Sequence, residues 1–146
     1  MTGADSSVLY SPALLALAVE LAEVPFDGSA PMYGKAISRT CGSRVELSGT
    51  YDNDSGFGDI GLRVSACAVG QASAAIFAKW IVNKCADDVE QAYSYLNAWL
   101  DDARSKPSIP RLALLDPART YRSRHEAILL PWRAARDALC KAKQAG

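Results

Sequence analysis

The hydrophobic pattern near the start of the chain has a helical period. Leu14 and Leu17 recur at helical spacing, and the dipeptide Ser11-Pro12 supplies an N-cap residue followed by a proline at the first helical position. Pro25 ends this pattern. The segment Phe26–Gly34 contains two glycines and one proline and is predicted to be a loop. We therefore expect an N-terminal helix followed by an irregular connection.

The pattern then changes to the two-residue period of half-buried strands. The alternating apolar residues are Val45, Leu47, Ile60, Leu62 and Val64. The turn-forming sequence DNDSG at 52–56 separates the two groups, so an antiparallel hairpin is predicted. A first strand near Ala36–Thr40 completes a three-stranded sheet.

Beyond Cys67 the apolar spacing is helical again, which predicts helices at about 69–80, 87–100 and 123–143. Prolines interrupt the pattern in a linker-like insertion at about 104–122, where residues 112–115 are expected to form a short helical turn. Strands that precede helices indicate a single α+β domain over residues 1–146. It has an N-terminal helix and a three-stranded antiparallel sheet, with helices packed on one face.

Composition and charge narrow the function classes. The chain has 146 residues, of which 49% are apolar, and its 16 basic residues equal its 16 acidic ones. Without a basic surface, nucleic acid and anionic membranes are not expected partners. The apolar stretch Val8–Val24 is broken by a proline and a glutamate, so it is predicted neither to span a membrane nor to be a signal peptide. We expect a cytoplasmic protein.

Two of the four cysteines lie where chemistry could occur. Cys41 precedes a glycine in the sequence RTCGS between predicted strands, and Cys67 ends a strand and begins a helix, where the helix dipole favours a thiolate. The hairpin brings both to one end of the sheet although 26 positions separate them. Alternatively, both are small buried hydrophobic residues. Cys85 and Cys140 lie near helix ends without metal-ligand spacing and are interpreted as indifferent thiols.

The sequence Ser123-Arg-His-Glu126 opens the last predicted helix. His125 is the only histidine of the chain, and histidine is a frequent metal ligand. Ser123 and Glu126 also match a capping box, which explains them without a metal. Side chains adjacent in a helix diverge by about 100°, so His125 and Glu126 do not easily bind one ion. The residues alone favour the cap.

Together, these segments resemble the U-type iron–sulfur cluster assembly scaffolds, the family of NifU N-terminal domains, IscU and SufU. Cys41-Gly42 matches the first cysteine motif of that family, and Ala66-Cys67 followed by the small residues 71–74 matches the second. The third region is recognised at 122–132, where Glu126 occupies the position of the third cysteine and His125 that of a common histidine. The long interval before this region resembles SufU more than IscU.

The resemblance implies a scaffold or carrier that is not an enzyme. It implies a labile [2Fe–2S] cluster, or Zn²⁺ in its place, bound by Cys41, Cys67 and Glu126, with His125 or water completing the site. A cysteine desulfurase and apo iron–sulfur proteins are the implied partners. The run of small residues after Cys67 is interpreted as keeping the adjoining helix slim around the bound group.

Two departures from the family pattern leave other functions open. Ser43 stands where the family has an aspartate, and Glu126 stands where it has a thiolate, although thiolates suit clusters better than carboxylates do. The second hypothesis is therefore a degenerate paralogue without a cluster, which binds zinc or a desulfurase in a SufU-like sulfur-transfer or regulatory role. A zinc-dependent enzyme is a third hypothesis, but no H-E-x-x-H pattern or second histidine supports it.

Overall fold

The computed structural model describes residues 11–102 and 107–145. Its first helix, α1, spans Pro12–Val19 and continues as a 3₁₀ helix over Glu20–Glu23. The side chain of Ser11 accepts a hydrogen bond from the backbone N of Leu14 at 3.2 Å, which confirms the predicted N-cap.

Three antiparallel strands form the sheet in the order β1-β2-β3. They span Met32–Ile37, Arg44–Asp52 and Gly56–Ser65. The predicted hairpin and its turn are confirmed, and both of its strands are longer than the apolar alternation indicated. Two residues outside the strands cover the outer edge of β3 through isolated β-bridges. Pro25 pairs with Leu62, and Val82 pairs with Phe57.

The first strand lies earlier in the chain than predicted. It begins at Met32 instead of near Ala36, so the last three residues of the predicted Phe26–Gly34 loop belong to the strand. Positions 32, 34 and 36 are buried and their neighbours exposed, which is the expected strand period. The prediction failed because Gly34 was taken as a loop signal, whereas it occupies a buried strand position.

Close packing by the last helix explains this glycine. Helix α4 spans His125–Ala145 and crosses β1, and a Cβ atom added at Gly34 would overlap the carbonyl oxygen of Ala134 and the side chain of Ala138. The backbone N of Lys35 also donates to the Asp137 carboxylate on the same helix at 2.8 Å. Helix α4 and β1 are therefore held in direct contact.

Two further helices complete the core. Helix α2 spans Ala68–Trp80 and packs against β3 and α4, and α3 spans Ala86–Asp102 and packs against α4. Trp99 and Trp132 are buried in the core, while Trp80 is only partly buried. The predicted α+β fold, with an N-terminal helix, a three-stranded antiparallel sheet and helices, is confirmed.

The segment before α4 packs into the core in its described part. A 3₁₀ helix spans Leu112–Thr120, and its residues Leu112, Leu115 and Ala118 are buried. A second one spans Arg122–Arg124. That this region is an insertion stays a prediction, and its positions 103–106 lie outside the described residues. Within the described ranges, no helix is both long and apolar enough to cross a membrane.

Candidate functional site

The loop between β1 and β2 carries Cys41. The backbone N of Ser38 donates to the carbonyl oxygen of Ser43 at 2.8 Å and closes the loop where the two strands separate. Gly42 has a φ of 71°, in the left-handed region that glycine adopts without strain. A Cβ atom at this position would meet nothing within 4 Å, so the conformation and not the space favours glycine here. The tight turn predicted from Cys41-Gly42 is present.

Two hydroxyl groups flank the exposed thiol of Cys41. Its Sγ donates to Oγ of Ser38 at 3.3 Å and lies 3.0 Å from Oγ of Ser43. The hydroxyls of Ser38, and next of Ser43, hold the pKa of the Cys41 thiol below its ordinary value of 9.0, because each can turn its proton toward the sulfur once the thiol is ionised. An exposed cysteine with a lowered pKa is suited to bind a metal or to react as a thiolate. Ser43, which replaces the aspartate of the family pattern, therefore contacts the cysteine directly.

Cys67 lies at the same end of the sheet. It follows β3 as the N-cap residue of α2, is half-buried, and its side chain makes no capping hydrogen bond. At this end of the hairpin Arg44 pairs with Ser65. Arg44 comes three residues after Cys41, and Ser65 comes two residues before Cys67. The predicted placement of both thiols at one sheet end is confirmed.

Glu126 reaches the Cys41 loop from the start of α4. Its Oε1 accepts hydrogen bonds from Oγ of Ser38 at 2.8 Å, N of Arg39 at 3.1 Å, and N and Oγ1 of Thr40 at 3.3 and 3.0 Å. Its Oε2 lies 3.3 Å from Nη1 of Arg133. These bonds, led by that of Ser38, lower the pKa of Glu126 to about 2.

The capping interpretation of Glu126 is therefore wrong. Helix α4 begins at His125, and the carboxylate is bound by the β1–β2 loop and by Arg133 instead of returning to the backbone N of Ser123. The loop donors are 86 to 88 positions away in the chain, and the S-x-x-E pattern was the only local signal for this side chain.

His125 is engaged in a structural contact. Its Nε2 lies 2.6 Å from the carbonyl oxygen of Arg119, in the 3₁₀ helix that precedes α4. Arg119 in turn donates from Nε to the carbonyl oxygen of Trp99 at 3.1 Å. The ring of His125 thus joins the end of the 3₁₀ segment to α4.

Across residues 11–102 and 107–145, no three His, Cys, Asp or Glu side chains are grouped so that they could hold a metal ion. The ligand set of Cys41, Cys67, Glu126 and His125 stays a prediction. The donors that fit best are the two thiols, because thiolates suit zinc and iron–sulfur clusters. A site built on them leaves coordination positions for sulfide, water or a partner.

The small residues after Cys67 serve the packing of α2 against α4. A Cβ atom at Gly70 would lie 3.3 Å from Cβ of Ala127, and the hydroxyl of Ser73 donates to the carbonyl oxygen of Ile128 at 2.7 Å. Ser73 is fully buried. In the structure these residues bring two helices into close contact, and the interpretation that they also keep the helix slim around a bound group stays a prediction.

Sequence reasoning missed three residues that support the loop, Ser38, Thr40 and Arg133. The first two stand beside Cys41 in the sequence SRTC, and this run of hydroxyl residues was a usable signal. Nothing in the sequence indicated that they face Glu126, because that contact joins β1 to α4.

Solved structures with the same fold include one that is described as an iron–sulfur cluster assembly scaffold protein. A NifU-like N-terminal protein from Brucella abortus aligns with a TM-score of 0.82 and 24% identity, over 97% of this chain and 99% of that one. A scaffold protein of the SUF system from Fervidobacterium islandicum AW-1 aligns with a TM-score of 0.76 and 19% identity, over 92% and 98%.

A third structure, of a protein described as hypothetical, aligns with a TM-score of 0.58 and 19% identity, over 88% of this chain and 97% of that one. No family model and no curated protein matches the sequence. The chain thus has the U-type scaffold fold over nearly its whole length.

Proposed function

We propose that this protein is a scaffold or carrier of iron–sulfur cluster assembly, in which Cys41 and Cys67 bind a labile [2Fe–2S] cluster or a metal ion. The observation that carries the proposal is an exposed thiol of lowered pKa, at the same sheet end as a second thiol, in the U-type scaffold fold. The cluster is cargo that is received and passed on, so the protein acts as a carrier and not as an enzyme.

The proposed partners follow from this chemistry. A cysteine desulfurase supplies sulfur, and apo iron–sulfur proteins receive the cluster, both in the cytoplasm. The exposure of Cys41 supports direct transfer, because a partner can approach the thiol without opening the fold. Two thiols are fewer than the four thiolates that usually hold a cluster, so we expect binding to be labile.

A second candidate function is supported by the contacts of Glu126. This carboxylate, at the position of a third cysteine in the resemblance, is bound by the Cys41 loop and Arg133. A chain in which that ligand has been lost fits a degenerate paralogue, which binds zinc or a desulfurase without carrying a cluster and acts in sulfur transfer or regulation.

One experiment separates the two candidates. We expect anaerobic reconstitution with ferrous iron and sulfide to give a visible chromophore with acid-labile sulfide in the wild type, and its loss in Cys41→Ala and Cys67→Ala. Cys140→Ala is the matched control, because Cys140 is an exposed thiol on α4 and not part of this site. No chromophore in the wild type, but one in Glu126→Cys, would contradict the scaffold proposal and support the degenerate paralogue.

A further inference from the structure

We propose that Glu126 is a positioning residue: its carboxylate holds the β1–β2 loop so that Cys41 is presented to the cargo, and Glu126 does not itself bind metal. The consequence for cargo binding rests on the proposed function, whereas the tether between α4 and the loop does not.

One oxygen of the Glu126 carboxylate is filled by loop donors, and the other faces a cationic side chain. Four donors from three consecutive residues converge on Oε1: the Ser38 hydroxyl, the Arg39 amide, and the amide and hydroxyl of Thr40. The guanidinium of Arg133 contacts Oε2. Since each carboxylate oxygen offers about two lone-pair sites, a metal could bind Oε1 only by displacing loop donors, and a cation that approached Oε2 would be repelled by the guanidinium of Arg133.

A continuous path of contacts leads from the carboxylate to Cys41. The Ser38 hydroxyl, which donates to Glu126, also accepts from the backbone N and the Sγ of Cys41, both at 3.3 Å. Ser38 is only 2% exposed, so water does not readily take the place of these partners. A movement of the carboxylate would therefore move the acceptor that holds Cys41.

Glu126 lies on a helix that is held firmly against the sheet. Helix α4 is held against β1 by the close approach at Gly34 and by the bond from the amide of Lys35 to Asp137. A group fixed to such an element positions a reactive side chain better than the loop alone would. The pKa of Glu126, lowered to about 2, keeps the carboxylate ionised at neutral pH and agrees with this role.

The tether is tested on protein freed of metal by a chelator, where a ligand would have no effect. We expect Glu126→Ala to raise the hydrogen-exchange rates of the Arg39 and Thr40 amides about tenfold, because both lose a charged acceptor. Glu90→Ala is the matched control: Glu90 pairs with Arg136 away from the loop, and these rates should not change. Unchanged rates in Glu126→Ala would overturn the tether.

The positioning role is tested by comparing Glu126→Gln with Glu126→Ala for binding of Zn²⁺, measured by competition with a chromophoric chelator. The amide oxygen of glutamine can still accept from the loop, so we expect the Kd of Glu126→Gln to stay within about threefold of wild type and that of Glu126→Ala to rise about tenfold. Equal weakening in both variants would show that Glu126 is a ligand and overturn the proposal.

The two tests also separate this proposal from the proposed function. If the wild type bound neither Zn²⁺ nor a cluster, the proposed function would be wrong. The exchange rates would still show whether Glu126 holds the loop. If Glu126→Ala did not fold, Ser38→Ala would be used instead, because Ser38 connects Glu126 to Cys41 in the same path of contacts. It should then raise the exchange rate of the Cys41 amide in the metal-free protein, and an unchanged rate would overturn the tether.

Discussion

At the scale of single residues, Ser38 determines how the candidate site is organised. While the Cys41 thiol is protonated, the hydroxyl of Ser38 donates its one proton to Glu126. The amides of Thr40 and Cys41 and the Cys41 thiol each lie 3.3 Å from the same oxygen and share its two lone pairs. A small polar side chain that is nearly fully buried thus connects the carboxylate on α4 with the exposed thiol of the loop.

The ionisation of Glu126 should make folding stability depend on pH in the acid range. Its pKa is lowered from 4.5 to about 2 in the folded protein, so the ionised form stabilises the fold fully above pH 4.5. This contribution is lost as the pH falls from 4.5 toward 2.

We expect urea unfolding to show a loss of about 2 kcal/mol between pH 7 and pH 2.5 in the wild type beyond that in Glu126→Gln, which has no carboxylate at this position. Glu90→Gln should follow the wild type, because it leaves the loop contacts in place. Parallel pH profiles for the wild type and Glu126→Gln would contradict this prediction.

At the scale of elements, glycine and alanine positions set how closely α4 approaches its neighbours. Gly34 has no side chain to keep the helix away from β1. Gly70 and Ser73 likewise allow the helix to pack closely against α2. Because α4 begins with His125 and Glu126, this packing also determines where the carboxylate meets the Cys41 loop. The small residues after Cys67 therefore act on the site through the position of α4.

We expect Gly34→Ala to lower the free energy of unfolding by about 3 kcal/mol, because the added methyl group would overlap the backbone of α4. The matched control is Gly28→Ala, where the nearest atom to an added Cβ is a Phe26 ring carbon at 3.8 Å. That variant should stay within about 1 kcal/mol of wild type in urea unfolding. Equal stabilities of the two variants would show that α4 does not press on β1.

At the scale of the whole molecule, the proposed cargo would join segments distant in the chain. Cys41 follows β1 and Cys67 begins α2, while Glu126 supports the loop from α4. A metal bound to both thiols should therefore stabilise the folded chain as a whole, since a ligand that binds only the native state shifts the unfolding equilibrium.

We expect Zn²⁺ at about one hundred times its Kd to raise the free energy of unfolding by about 2.7 kcal/mol. Thermal unfolding with Zn²⁺ and with a chelator measures this difference. Cys67→Ser should lose it, whereas Cys140→Ser should keep it, because Cys140 lies near the end of α4. The same increase in Cys67→Ser and in the wild type would place the zinc elsewhere.

The sequence predicted the fold class, the hairpin, the positions of the helices and the placement of Cys41 and Cys67 at the same end of the sheet. These features depend on local periodicity, turn residues and strand register, all of which are set by residues that are close together in the chain. The first strand was placed too late because Gly34 signals a loop locally but is required by the distant helix α4. The family resemblance gave the residue positions of the site but not their contacts.

Only the tertiary structure decided what Glu126 does. The local sequence indicated a helix cap and the resemblance indicated a ligand, whereas the folded chain binds the carboxylate to Ser38, Arg39 and Thr40. Hydrogen bonds between residues so far apart depend on the packing of α4 across β1, and no local pattern records that packing. The chain by itself determined which groups are available for chemistry, and the contact between helix and strand determined their roles.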